Sequence, residues 1–109
     1  MTDETERRLA ANEAVFREVN EAIERGHWPG EEDAQGAFRC ECARRECSEL
    51  ISLTPREYEH IRSNARRFVV RPGHEDVELE TVVERTADYV VVEKRGDAAV
   101  EAEATDPRS

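Results

Sequence analysis

Three cysteines lie within eight residues of this 109-residue chain, at Cys40, Cys42 and Cys47, and the chain has no others. An odd number of cysteines argues against a framework of disulfides, and clustered thiols in a reducing compartment more often hold a metal ion. Only 38% of the residues are hydrophobic. A single small domain of this composition has a core near the lower limit of independent stability, so we expect an additional staple.

The charge of the chain limits its partners and its location. It carries 26 acidic and 16 basic residues, a net charge of -10. Such an excess repels phosphate backbones, so we expect no nucleic-acid partner, and DNA binding by the mildly basic block 37–72 stays a minor alternative. The sequence contains no apolar run long enough for a membrane span, and its acidic start is unlike a secretion signal. We therefore expect a cytoplasmic protein with no membrane partner.

Residues 1–26 are predicted to form an N-terminal amphipathic helix, with its regular part at Arg7–Arg25 and Gly26 just past its end. The apolar face consists of Leu9, Phe16, Val19 and Ile23. The stripe covers about two heptads, too few to predict a coiled coil, and an isolated helix of this length is marginal in water. The helix must therefore pack either on its own domain or on a second copy or another protein.

A linker is predicted over 27–36, where proline, two glycines and three acidic residues follow one another. Trp28, the single tryptophan, lies in it. Tryptophan is enriched in binding hot spots, yet a loop tryptophan also folds back over its own core. If the helix and linker bind a protein partner or mediate self-association, the contact residues are expected to be Leu9, Phe16, Val19, Ile23 and Trp28.

The remaining chain predicts a small α+β domain over 37–95, followed by a disordered tail over 96–109 with little apolar content. Short strands are expected at 37–40, 50–53, 67–71, 78–85 and 89–94, forming a small, mostly antiparallel sheet. Between them, Thr54 is predicted to cap a helix that begins at Pro55 and runs to Ser63 or Asn64, with Glu57 completing a capping box. The fold class is thus a single small α+β domain with an N-terminal helix, a cysteine loop and one short helix.

The cysteines supply three of the four ligands that zinc takes in a tetrahedral site. His74 is the expected fourth, because Pro72 and Gly73 form a turn directly after a strand and fix the direction of the histidine. His27 lies in the linker and His60 on an outward helical face, so both are weaker candidates. The sequence therefore predicts a Zn²⁺ site of Cys40, Cys42, Cys47 and His74.

Other residues of the loop are expected to support this site rather than to bind the ion. Glu41 and Glu46 are predicted to hydrogen-bond around the ligands, and Arg39, Arg44 and Arg45 to keep the thiols ionised. Two alternatives stay open. Another residue supplies the fourth ligand, or the thiols are free and His74 is an ordinary turn histidine.

The motifs of the chain resemble a family of small bacterial proteins that have no established function. The resemblance rests on Phe38-x-Cys40-Glu41-Cys42-x4-Cys47, on Leu53-Thr54-x-x-Glu57-Tyr58-x-x-Ile61-Arg62 and on Pro72-Gly73-His74. It extends over about residues 7–94. The resemblance implies that the three cysteines and the Pro-Gly-His turn belong to one module.

The sequence has no glycine-rich phosphate loop and neither a zinc-protease nor a serine-hydrolase motif. Because four protein ligands close a zinc site to substrates, we predict a protein that is not an enzyme and that acts as a protein-interaction or regulatory module. The alternative is a redox sensor, in which oxidation of the zinc-bound thiolates releases the metal.

Overall fold

The structure of the protein is a computed structural model that describes residues 3–26, 30–42 and 47–106, with side chains from residue 12 onward. Its elements in chain order are α1 (Asp3–Arg25), β1 (Gly36–Arg39), β2 (Leu50–Leu53), α2 (Pro55–Arg62), β3 (Arg67–Val70), β4 (Glu80–Arg85), β5 (Val90–Lys94) and α3 (Gly96–Ala104). The mixture of helices and short antiparallel strands confirms the predicted α+β class. In the described part of the chain, no helix has both the length and the apolar character needed to cross a bilayer.

The strands form two separate antiparallel sheets. One is the hairpin β1–β2, in which Phe38 lies opposite Ile51, and the other has the order β3-β5-β4. Strand β2 alternates between exposed and buried residues, whereas the central strand β5 is buried over Val90–Val92. The outer strand β3 is also buried over residues 68–70. Alternation is typical of a strand with one covered face, and a continuous buried run of a strand that is covered on both faces.

Helix α2 begins as the sequence predicts. The Thr54 hydroxyl accepts a hydrogen bond from the Glu57 backbone N–H at 3.0 Å, and the Thr54 N–H donates to the Glu57 carboxylate at 2.7 Å. Tyr58 and Ile61 face the core and His60 faces solvent. The helix ends at Arg62, slightly before the predicted end.

Helix α1 packs on its own domain, but mainly through a different face from the predicted one. Phe16 is buried, and Ile23 is partly buried against the core. Val19, however, is 42% exposed, and the inward face is mostly polar. Its buried polar residues are Glu13, Arg17, Asn20 and Glu21. The side chain of Leu9 and the whole of Trp28 lie outside the described residues.

Buried charges on this face find partners in distant elements. The Arg17 guanidinium donates to the carbonyls of Ala65 and Ala102 at 2.8 and 2.7 Å, and it stacks over the Phe68 ring at 4.3 Å. Lys94 on β5 pairs with both Glu13 on α1 and Glu80 on β4. An amphipathic pattern based on hydrophobicity alone cannot show these residues as inward-facing, because their burial depends on those partners.

The segment after β5 also differs from the expected disordered tail, because residues 96–104 form α3. Ala99 and Ala102 are buried, and Asp106 pairs with the buried Arg62. Small alanine side chains let the helix lie close to α1, and the carbonyl of Ala102 accepts from Arg17. The apolar content that predicted disorder is low, but α3 packs through Ala99 and Ala102, and polar contacts to Arg17 and Arg62 add to this packing.

Truncation after Arg95 should therefore destabilise the protein. It removes an acceptor of Arg17 and a carboxylate partner of Arg62, and a hydrogen bond to a buried charged group contributes about 1.5–3 kcal/mol. We expect the free energy of unfolding in urea to fall by at least about 3 kcal/mol. Removal of residues 107–109 alone is the control. A stability equal to that of the full chain would show that α3 is dispensable.

The pair of carboxylates on Lys94 predicts a dependence of stability on pH. Burial raises the pKa of Glu13 to about 7, although Lys94 opposes the shift. Between about pH 4.5 and 7 the folded state then holds a proton that the unfolded state has lost, so stability falls as the pH rises. Glu13→Gln lacks this titrating group. Its free energy of unfolding relative to that of the native chain should therefore rise by about 3 kcal/mol between about pH 4.5 and 7. Urea unfolding at several pH values measures it, with the exposed Glu18→Gln as control; a constant difference contradicts the prediction.

Candidate metal centre

The hairpin β1–β2 brings the two ends of the cysteine loop together. Cys40 follows the last residue of β1, and its N–H donates to the carbonyl of Glu49 at 3.1 Å, which continues the ladder past the strands. Cys42 and Cys47 lie on the loop beyond this pair. All three thiols are buried.

The Pro-Gly turn forms after β3 as the sequence predicts. The His74 N–H donates to the carbonyl of Arg71 at 2.9 Å, and Gly73 has a φ of 94°. A positive φ at the third position of a turn favours glycine, and proline suits the position before it. The turn sets the His74 ring against the cysteine loop.

Four candidate ligand atoms converge at this point. The Nδ1 atom of His74 lies 3.6 Å from the sulfur of Cys40 and 3.6 Å from that of Cys47. With Cys42 included, all four ligand atoms lie within 4.8 Å of one another. Zn–S and Zn–N bonds of about 2.3 and 2.0–2.1 Å place neighbouring ligands of a tetrahedron about 3.6 Å apart. The two distances from His74 Nδ1 match this edge.

The thiols of Cys40 and Cys47 lie in surroundings that favour their protonated form without a cation. The hydrogen bond with Cys42 and burial raise the pKa of the Cys40 thiol, and burial raises that of Cys47. In the opposite direction, the Arg71 backbone N–H donates to the Cys40 sulfur at 3.2 Å. A bound cation replaces the protons on such thiols, so metal binding is expected to release protons and to strengthen as the pH rises.

The other residues singled out from the sequence have different positions. Arg39 donates to the backbone carbonyl of Cys47 at 2.6 Å rather than to a sulfur. His60 is exposed and is not part of the cluster. The remaining residues expected around the site lie outside the described residues: His27, Arg44, Arg45 and Glu46.

Glu41 has a structural position that the sequence did not indicate. Its side chain is fully buried, and its carboxylate accepts from Asn20 at 2.9 Å, from the Tyr58 hydroxyl at 2.7 Å and from the Val69 N–H at 3.0 Å. Burial raises the pKa of Glu41. The spacing of Cys40 and Cys42 held a signal for this, because alternate residues of an extended segment point to opposite sides. With both cysteines toward the metal centre, the residue between them points into the core.

Comparisons with known proteins give no relative for this chain. No protein-family model matches it, and no match was found among the curated proteins or the solved structures. The family resemblance therefore stays a prediction, and the function has to be inferred from the geometry of the site.

Replacing Glu41 by glutamine should destabilise the fold that carries the metal centre. A glutamine amide presents N–H groups where one carboxylate oxygen now accepts, which leaves at least one buried donor without an acceptor. Such a loss costs about 1–3 kcal/mol. Urea unfolding of Glu41→Gln should show this decrease.

The matched control is Glu49→Gln on the same loop, where the side chain is exposed and pairs with Arg71 at 3.8 Å. Its free energy of unfolding should change by less than about 0.5 kcal/mol. Equal effects of the two substitutions would mean that the Glu41 network does not support the fold.

Proposed function

We propose that the protein is a non-catalytic module built around a structural Zn²⁺ ion bound by Cys40, Cys42, Cys47 and His74. The observation that carries the proposal is the convergence of three sulfurs and one imidazole nitrogen within 4.8 Å. Thiolate and imidazole are the ligands that structural zinc sites use, and softer or harder cations prefer other donor sets.

A structural use of the ion is supported by the closed character of the site. Four protein ligands complete a tetrahedron, so no position is left for a substrate or a reactive water. The ion would join the cysteine hairpin to the turn after β3, where Cys47 and His74 are separated by 27 positions in the sequence. Binding of structural zinc contributes on the order of 10 kcal/mol, comparable to the whole stability of a small domain.

A protein-interaction role is supported by the outer face of α1. Val15 and Val19 lie one helical turn apart and are 55% and 42% exposed. With its polar face docked on the domain, α1 presents these two apolar residues to solvent, and Val19 belongs to the predicted contact set. We propose this face as the surface for a protein partner.

The burial of the thiols favours a structural ion over a redox sensor. Cys40, Cys42 and Cys47 have at most 7% of their surface exposed. Redox-sensing cysteines are usually accessible to the oxidant, because attack needs contact with the sulfur. A sensor would release its zinc reversibly under mild peroxide, whereas a structural site should keep it.

Native mass spectrometry of the purified chain should find one zinc ion per molecule. Chelation should unfold the protein cooperatively, because the ion contributes about as much as the whole net stability of a small domain. Cys42→Ser should lose the metal and the fold almost as completely, because a hydroxyl is a poor ligand for zinc. Circular dichroism during the chelator titration measures the unfolding.

The matched control is His60→Ala, which removes an exposed histidine outside the cluster. It should retain one zinc ion per chain and the native melting temperature. A native chain without metal would overturn the proposal, and so would a His74→Ala variant that binds zinc as tightly as the native chain. Reversible zinc loss under mild peroxide would favour the redox sensor instead.

A further inference from the structure

Helix α1 holds the strand residue that precedes the first cysteine. The Asn20 side chain accepts from the backbone N–H of Arg39 at 2.6 Å and donates to the carbonyl of Arg39 at 2.7 Å. It also donates to the Glu41 carboxylate at 2.9 Å. The side-chain amide of Asn20 therefore pairs with the backbone of Arg39 at the outer edge of β1, as a neighbouring strand would. Asn20 is completely buried.

Arg39 continues this connection to a ligand on the other side of the loop. Its guanidinium donates to the carbonyl of Cys47 at 2.6 Å and lies 4.0 Å from the centre of the Phe16 ring on α1. Phe16 and Asn20 of α1 therefore both contact Arg39. Through it, one helix fixes the segment with Cys40 and the backbone of Cys47.

We infer that docked α1 holds the ligand loop of the metal centre in position, with Asn20 and Arg39 as the positioning residues. Docking of α1 and retention of the metal are then coupled. The inference deepens the proposed function and rests on it. The ligands come from a short loop, and a loop held on one side only by β3 would sample arrangements in which the sulfurs diverge. Docked α1 holds the opposite side.

The coupling gives the module a route for regulation. Two events that favour the same conformation strengthen each other by the same factor. A bound metal therefore tightens α1 against the domain, and a protein that pulls α1 away weakens metal binding equally. The outer face with Val15 and Val19 is where such a protein would first contact the helix.

Metal affinity of positioning variants tests the coupling. Competition with a chromophoric chelator gives the affinity for Zn²⁺ of the full chain, of Asn20→Ala and of Arg39→Met. Substitution of residues that orient metal ligands typically costs 10–100-fold in metal affinity, and we expect both variants to lose at least about tenfold. The matched control is Asn64→Ala, which also removes a side-chain acceptor of a backbone N–H, at 2.9 Å from Arg66, but touches no ligand segment.

Two further readouts separate positioning from a general loss of stability. With Co²⁺ in place of Zn²⁺, the absorption bands of Asn20→Ala should shift because the ligand geometry relaxes, while those of Asn64→Ala stay native. In the metal-loaded variant, the amides of α1 should exchange hydrogen faster than in the native chain. If Asn20→Ala does not fold, Arg39→Met provides the same comparison with the helix intact.

The outcomes distinguish this inference from the proposed function. A native chain that binds no metal overturns both. A native chain that binds zinc, together with variants whose affinity stays within twofold of it, overturns the coupling alone. An equal loss of affinity in Asn64→Ala also overturns it, because the effect would then follow stability rather than contact with the ligand segment.

Discussion

The fully buried carboxylate of Glu41 connects the elements that surround the candidate metal centre. Its donors come from three different elements: Asn20 on α1, Tyr58 on α2 and Val69 on β3. An ionised carboxylate is costly to bury, and such contacts are what make its burial tolerable. Since Glu41 stands between Cys40 and Cys42, the interactions that hold the core also set the direction of the two sulfurs.

Among the residues that the structure describes, no strand of one sheet pairs with a strand of the other, so other contacts must join the two sheets. The segment after β1 does so, because the N–H of Glu41 donates to the carbonyl of Val69 and the N–H of Arg71 donates to the sulfur of Cys40. These bonds also satisfy the outer edge of β3, which would otherwise be open to pairing with another chain. A metal ion bound by the cysteines and His74 would fasten the same junction.

The polar face of α1 is an unusual way to dock a helix on so small a domain. Buried ion pairs add little net stability, because desolvation offsets most of the attraction. These ion pairs do, however, favour one position of α1 on the domain over others. A slip of α1 by one turn would separate Arg17 and Glu21 from their partners and would move Asn20 away from Arg39, leaving several buried polar groups unsatisfied. We infer that these contacts fix the register of the helix, and with it the shape of the ligand loop.

Features that depend on local backbone preferences could be predicted from the sequence. The capping box at Thr54 and the turn at Gly73 follow from neighbouring residues, and so does the choice of His74 over His60, which lies outward on α2. The grouping of the cysteines with His74 could be predicted because cysteine and histidine are few in this chain and zinc needs four ligands.

Which charged residues lie inside depends on contacts between elements that are distant in the sequence. The burial of Glu41 in the core and of Arg17 under α1 was not predicted, because burial of a charge is favourable only where a distant element offers its partner. The same reason explains α3: its alanines are too small to signal a core, and its acceptor for Arg17 belongs to the backbone. A hydrophobic pattern indicates which residues avoid water, but it does not indicate which polar groups contact each other. In this protein, contacts between buried polar groups position α1 and the ligand loop.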